Sequence, residues 1–386
     1  MKVILSIDAV RFPLTGIGRY TYELARQLPD EVPGLDLQFM AGHRFVPRLP
    51  TEKAFSNPAQ GRSLAVRVRQ RLQNSPAIVS AHRVWLSRRQ SHSLKEHNEA
   101  IFHGPQFYLP RFDGKSVVTI HDLSVFTWAH CHPGGRARMM RQEIVKSVSR
   151  ASMVLTDSEF TRQELVAFFS LPPERVRAIP LASAACFRPR LPTELDAVLP
   201  RLGLRPGNYC LYSGTIEPRK NLGALLDAYQ RLPTSLRHRL PLVLCGYQGW
   251  QSADLHARIQ KAAGEGWVRY LGYVSGAELP HVFAGARLFA FPSVYEGFGL
   301  PVLEAMASGV PVVCSNSSSL PEVAGDAALM CAPHNVDTLT DLLRQGLEDE
   351  GWRSEAQRKG LAQAARFSWA QCARKTGAAY RAVRSD

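Results

Sequence analysis

A chain of 386 residues with 45% hydrophobic content, 26 prolines and 28 glycines is too long for one ordinary core; two domains of a globular α/β enzyme are expected. Its seven cysteines are scattered, odd in number and never spaced C-x-x-C. That pattern argues against a disulfide scaffold or zinc site and for a reducing compartment, and no apolar run approaches the ~18 residues needed to cross a bilayer. A net charge of +14 points to an anionic partner, but no recognition helix or base-stacking motif accompanies it, so nucleic acid is not the expected one.

In chain order, Val3–Ile7 is a short run suited to burial on both faces of a parallel sheet; Asp8 follows at once, so it reads as a strand and not a signal peptide. The loop Thr15-Gly-Ile-Gly-Arg19 then leads into a helix from about Gly18 to Leu28, the β–glycine loop–α opening of a mononucleotide-binding unit. Gly16 and Gly18 serve a tight turn equally well. A strand is expected at Leu35–Met40. Between Glu52 and Glu96 no acidic residue occurs, whereas Lys53, Arg62, Arg67, Arg69, Arg71, Arg83, Arg88, Arg89 and Lys95 do, mixed with Leu64, Val66, Val68, Leu72, Trp85 and Leu86. One reading is a solvated basic face; the apolar residues and the tryptophan favour shallow docking on an anionic membrane surface. Strands at Ala100–Phe102, Ser116–Ile120 and Met153–Asp157 follow, with helices at Arg138–Ser149 and Thr161–Phe169. A second basic cluster comprises Arg136, Arg138, Arg141, Lys146 and Arg150. His103 and His121-Asp122 end strands and so face any cleft; Ser158 and Glu159 suit a helix cap.

Prolines at 172, 173, 180, 189 and 192 interrupt regular structure, and residues 185–207 read as a linker. The domains are therefore set at 1–190 and 191–367. Alternation restarts with Tyr209–Ser213 (strand), Asn221–Leu232 (helix), Leu242–Cys245 (strand), Gln251–Ala263 (helix) and Val268–Leu271 (strand). Glu278–Ala284 (helix), Leu288–Phe291 (strand), Pro301–Ser308 (helix) and Val310–Cys314 (last clear strand) complete the pattern. Two such halves imply two doubly wound layers facing across a cleft.

The densest motif is Glu296-Gly-Phe-Gly-Leu-Pro-Val-Leu-Glu304. Two carboxylates flank a glycine-rich turn into a helix, with Pro301 fitting its first position and Gly309 its stop. Amides of Phe298, Gly299 and Leu300 at that helix start suit phosphate, with Gly297 in the approach, while Glu296 and Glu304 suit hydroxyls at either end of the ligand. A nucleotide sugar has that layout. In Gly214-Thr-Ile-Glu-Pro-Arg219-Lys220-Asn221 the two cations stand where a helix begins and oppose its dipole, a conflict that a diphosphate would resolve. Gly214 allows close ligand approach or simply a turn. Tyr273 and Val274 leave a strand into a loop, where packing and base contact are both open. No D-x-D occurs, which favours a metal-independent reaction with no cofactor beyond the sugar nucleotide.

The Glu296–Glu304 run, with Ser308-Gly-Val-Pro-Val-Val313 after it, resembles the E-x7-E signature of retaining GT-B glycosyltransferases of family 4. The likeness implies two Rossmann-like domains and a C-terminal helix, about 368–386, crossing back to the first. It assigns Glu304 to the ribose, Glu296 to sugar hydroxyls, Arg219 and Lys220 to the diphosphate, and His121 to the sugar's primary hydroxyl region. Gly16 and Gly18 would lie beside diphosphate and acceptor, although relatives often carry adjacent glycines there; Tyr273 and Val274 would meet the base through their backbone. Front-face attack, in which a leaving-phosphate oxygen takes the acceptor proton, is the implied mechanism. Together with Thr119–Ser124, these motifs look most like bacterial mannosyltransferases of surface-polysaccharide (O-antigen) assembly, which use GDP-mannose and a polyprenyl-diphosphate-linked saccharide. GDP-rhamnose or a UDP-sugar is the alternative donor. The implied location is cytoplasmic, peripheral on the inner face of the membrane. A GT-B epimerase would bind a donor without an acceptor; a dehydrogenase is disfavoured because no G-x-G-x-x-G follows a strand with an acidic residue some twenty positions on.

Overall fold

The computed structural model describes residues 1–51, 76–132, 134–250 and 252–385. The basic and apolar calls between Lys53 and Leu72 lie outside the described residues, as do the side chains of Arg83 and Arg136.

The first sheet comprises β1 (Lys2–Ser6), β2 (Asp36–Ala41), β3 (Arg44–Val46), β4 (Ile101–Gly104), β5 (Ser116–Thr119), β6 (Met153–Thr156) and β7 (Val176–Ala178). The second comprises β8 (Cys210–Ser213), β9 (Leu242–Cys245), β10 (Val268–Gly272), β11 (Leu288–Phe291), β12 (Val312–Ser315) and β13 (Ala328–Cys331). Strand orders are β3-β2-β1-β4-β5-β6-β7 and β10-β9-β8-β11-β12-β13, parallel throughout except for the β2–β3 hairpin. Central strands such as β4, β5, β8 and β11 are four residues long and buried on both faces, as their unbroken apolar runs require. In each sheet the direction of winding reverses beside the first strand, between β1 and β4 and between β8 and β11. Crevices open at such switch points, at the carboxyl ends of the strands. The three loops that carry glycines and charge in the sequence follow β1, β8 and β11, so topology alone brings them to the two crevices.

The last helix, Trp369–Ser385, leaves the second domain and packs on the first helix, Gly16–Glu31. The approach is close: a Cβ on Gly377 would lie 2.5 Å from Val32. Arg374 pairs with Glu31 at 2.5 Å, and the buried Tyr380 hydroxyl lies 2.6 Å from His103 Nδ1 under the first sheet.

Some boundaries differ from expectation. The proline-rich stretch 185–207 carries a short helix, Pro192–Asp196, and a 3-10 turn, Leu199–Leu202, because Leu195, Leu199 and Leu204 are buried. Phe187 meets Phe283 edge-on at 5.2 Å, so this segment is seated on the second domain. The first helix continues through Pro29 to Glu31, and Val32 closes it on the Leu28 carbonyl at 3.1 Å. β3, β7 and β13 were not anticipated: they are edge strands of three or four residues whose patterning is too short to stand out.

Candidate active site

The loop after β11 is held by serines after β12. Ser317 Oγ donates to the Val294 carbonyl (2.6 Å), Ser318 Oγ accepts from the Glu296 amide (2.8 Å), and Ser319 Oγ serves the Glu296 and Phe298 carbonyls (2.9 and 2.8 Å). Gly299, at φ 108, turns the chain into the helix Leu300–Ala307. Leu300 takes the first helical position and Pro301 the second, one place later than expected; proline is tolerated there because amides of the first turn have no intrahelical acceptor. Phe298, Gly299 and Leu300 lead into that terminus, and Gly309 (φ 73) follows its end as expected.

Glu296 is buried at the centre of the site. It takes a hydrogen bond from Ser293 Oγ (2.6 Å), Lys220 Nζ lies 2.5 Å from Oε1, and Arg219 Nη1 3.4 Å from Oε2. Burial alone would raise its carboxyl, but Lys220 and then Arg219 outweigh that and hold it below the ordinary range. Arg219 is fixed from three sides: Nη2 pairs with Glu217 (2.9 Å), Nη1 donates to the Tyr295 carbonyl (2.7 Å), and Glu296 completes the set. Lys220 also lies 5.3 Å from the centre of the Phe291 ring. The cations stand just before Asn221, the N-cap of the helix Leu222–Arg231, as expected. They sit in a 3-10 turn, Pro218–Lys220, and Glu217 and Glu296 neutralise them. That corrects the expectation of two charges left opposing a dipole.

Glu304 lies one turn into its helix, and burial lifts its carboxyl to about 7, with Arg19 of the glycine loop as the charge that offsets it. The first helix begins at Gly16, two residues earlier than expected, so Gly16, Gly18 and Arg19 form its first turn, and Glu304 of the second domain faces that turn across the cleft. A Cβ on Gly18 would meet the Ala9 carbonyl at 2.7 Å, so this position is sterically required; around Gly16 there is open space. A cavity of about 810 Å³ opens beside this loop, lined among others by Asp8, Arg11, Thr15, Trp85 and Tyr108.

His121 follows β5. Its Nδ1 lies 2.7 Å from Asp157 Oδ2 and its Nε2 3.0 Å from the Pro105 carbonyl. Carboxylate and carbonyl are both acceptors, so this pairing favours the charged form of the ring. Burial opposes that charge, but Asp157 outweighs it and the histidine's pKa is raised. His103 is the opposite case: burial pushes it down to about 3, and it bridges Tyr380 and Thr119 (2.6 and 2.9 Å) as a neutral ring. Asp122 accepts from the Ser124 amide and hydroxyl (2.9 and 2.6 Å) and faces Arg219.

The two domains meet at the loop itself. A Cβ on Gly297 would fall 1.9 Å from the His121 carbonyl, and the Gly297 carbonyl accepts from Ser158 Oγ (2.7 Å) and Thr161 Oγ1 (3.2 Å). The Tyr295 hydroxyl accepts from the Leu123 amide (3.0 Å) and donates to Glu164. Glu322 of the second domain caps the helix Glu159–Phe169 through the Glu159 and Phe160 amides (2.8 and 2.5 Å).

Arg219, Lys220 and Glu296 are thus in direct contact, Gly297 abuts His121, and Glu304 faces the Gly18 turn. Gly214 follows β8, where a Cβ would lie 3.0 Å from the Tyr212 hydroxyl. Val274 is buried, whereas Tyr273 is 47% exposed and stacks on Tyr247, itself 53% exposed, at 4.7 Å. Sequence reasoning missed Asp157 as partner of His121, Tyr247, Glu322 and Ser317–Ser319; three serines directly after a strand were the one visible signal. Among the described residues no three His, Cys, Asp or Glu side chains gather to hold a metal ion, and no helix is long and apolar enough to cross a membrane.

The family described as glycosyl transferases group 1 matches residues 202–366, and Glycosyltransferase Family 4 matches residues 14–182. The chain is 43% identical over 384 residues to the O-antigen chain mannosyltransferase B of Escherichia coli, covering 99% of this chain and 100% of that protein. It is 33% identical over 264 residues to the serotype-specific mannosyltransferase WbdA of Escherichia coli, covering 67% of this chain and 32% of that protein. Among solved structures, Anabaena HepE in complex with UDP and glucose superposes with a TM-score of 0.71 at 16% identity, covering 99% of this chain and 100% of that one. WaaG, a glycosyltransferase involved in lipopolysaccharide biosynthesis, gives 0.68 at 17% identity, with 98% of each chain covered. The folds agree, the two family models occupy the two halves, and a full-length relative shares more than two residues in five: this chain belongs to the family 4 glycosyltransferases, built on the GT-B plan.

Proposed function

We propose that this enzyme transfers an α-mannosyl unit from GDP-mannose, with retention, to a polyprenyl-diphosphate-linked saccharide during O-antigen assembly, on the inner face of the cytoplasmic membrane. The observation that carries the reading is the full-length 43% identity to an O-antigen chain mannosyltransferase, with the Glu296–Lys220–Arg219 cluster supplying the chemistry.

In this reading a sugar hydroxyl donates to Glu296 and displaces the Lys220 hydrogen bond. The freed ammonium, with Arg219 beside it, then neutralises charge growing on the diphosphate as the C1–oxygen bond breaks. Glu304, poised near neutrality, binds the ribose hydroxyls, and the exposed Tyr247–Tyr273 pair offers an aromatic face for the base. The charged form of His121 adds positive charge next to the reacting centre. A double displacement would need a carboxylate on the far face of C1. The site's glutamates are engaged elsewhere, which favours front-face attack with a leaving-phosphate oxygen taking the acceptor proton. No metal is required in this scheme, because the two cations carry the leaving-group charge.

A thermal-shift panel of GDP, UDP, ADP and TDP tests the donor. GDP at ~100 times its dissociation constant should stabilise the protein by roughly 2.7 kcal/mol. A response to UDP alone would replace GDP-mannose with a UDP-sugar.

A further inference from the structure

A second concave site lies on the flank of the first domain, between the helices Pro76–Leu94 and Gly134–Arg150. It encloses about 690 Å³, and among the described residues its walls present Arg88, Lys95, Arg111, Lys146 and Arg150 against a single carboxylate, Glu143. That carboxylate is spent on Lys146 at 2.9 Å, and the Arg150 guanidinium donates to the Leu109 carbonyl at 3.3 Å. Among the described residues Arg88, Lys95 and Arg111 have no ion-pair partner. Cations converging from opposite walls repel one another, and an ordinary solvated face would splay them apart; a multivalent anion between them relieves the repulsion.

The groove's position says which anion. Its upper end shares Tyr108 with the 810 Å³ cavity beside the Thr15–Gly18 loop, and the same helix supplies Trp85 to that cavity and Arg88 to the groove. Lys95 and Arg150 come just before β4 and β6, so the far end of the groove lies at the amino ends of the strands, away from the cleft. A ligand with a sugar end at the glycine loop and phosphates some residues further back would run from one into the other. A bilayer presents its phosphates as a flat plane and suits a convex face; a groove with charge on both walls suits a discrete diphosphate.

We propose that this groove binds the diphosphate of the acceptor's lipid carrier while the glycan reaches the cleft past Tyr108. This rests on the reading of the acceptor as diphosphate-linked. The test compares kcat/KM for two acceptors that share one glycan, the first on a polyprenyl diphosphate and the second on an uncharged glycoside. Both are assayed in neutral detergent with the wild type and with the Arg88→Gln/Lys95→Gln/Arg111→Gln variant. These three side chains are exposed, so the fold should survive, and circular dichroism checks it. Wild type is expected to prefer the diphosphate acceptor and the variant to lose roughly tenfold of that preference, with unchanged flotation on phosphatidylglycerol vesicles. A variant that keeps the preference overturns the proposal. So does one that keeps it but no longer floats, which would make the groove a bilayer contact. If wild type itself shows no preference, the acceptor reading has failed and the groove falls with it.

Discussion

Burial makes the charges of this site depend on one another. Asp157 and His121 show it well: the carboxylate lies 36 residues on in sequence, yet it raises the pKa of a ring that burial alone would lower. Asp157→Asn keeps the shape but removes the charge, so the His121 pKa should fall and activity should drop at pH values where wild type is still protonated. The histidine ring resonances followed by NMR titration check this; an unmoved pKa would show that the Pro105 carbonyl alone suffices. Glu304 behaves in the opposite sense. Burial raises its folded-state pKa from 4.5 to about 7, so the folded protein holds a proton that the unfolded chain has released. Stability therefore falls as pH rises through that window, by up to about 3 kcal/mol from this group. Glu304→Gln removes the penalty: its unfolding free energy relative to wild type should grow between pH 5 and pH 8, as measured by urea denaturation. A pH-independent difference would mean that Arg19 already keeps Glu304 ionised.

The loop between β11 and the helix Leu300–Ala307 both carries Glu296 and closes the cleft. Gly297 is its tightest point, since any Cβ would strike the His121 carbonyl. Gly297→Ala should force the domains apart at that contact, with a stability cost of about 1–3 kcal/mol and a larger loss of kcat than of donor affinity. Steady-state kinetics with nucleotide titration separates the two; an unchanged kcat would show that this approach is incidental. The sequence announced this loop, along with those after β1 and β8, because glycine, proline and charge punctuate short apolar strands. It did not announce what the loop touches. Ser158, Thr161 and Glu164 come from the other domain, and such non-local pairs leave no local pattern. Edge strands of three or four residues were equally silent, and the proline-rich stretch 185–207 hid buried leucines that seat it on the second domain.

At the scale of the whole molecule, the helix Trp369–Ser385 ties the chain's last segment to its first. Tyr380 bonds His103, His103 bonds Thr119, and the Tyr20 hydroxyl lies 3.0 Å from the same threonine, with its ring edge-on to His121. The returning helix is therefore packed under the histidine side of the cleft, and the second domain is closed onto it by Gly297, Tyr295 and Glu322. That layout puts the Glu296–Lys220–Arg219 cluster at the junction of the two domains, where water is excluded and each charge acts strongly. If this cluster drives glycosyl transfer, removing either Lys220 or Glu296 should abolish most of it. Mannose transfer from GDP-mannose by Lys220→Ala and Glu296→Ala, each confirmed folded, tests it most directly. Turnover should fall by about 10²- to 10³-fold in both; near-normal turnover in both would contradict it.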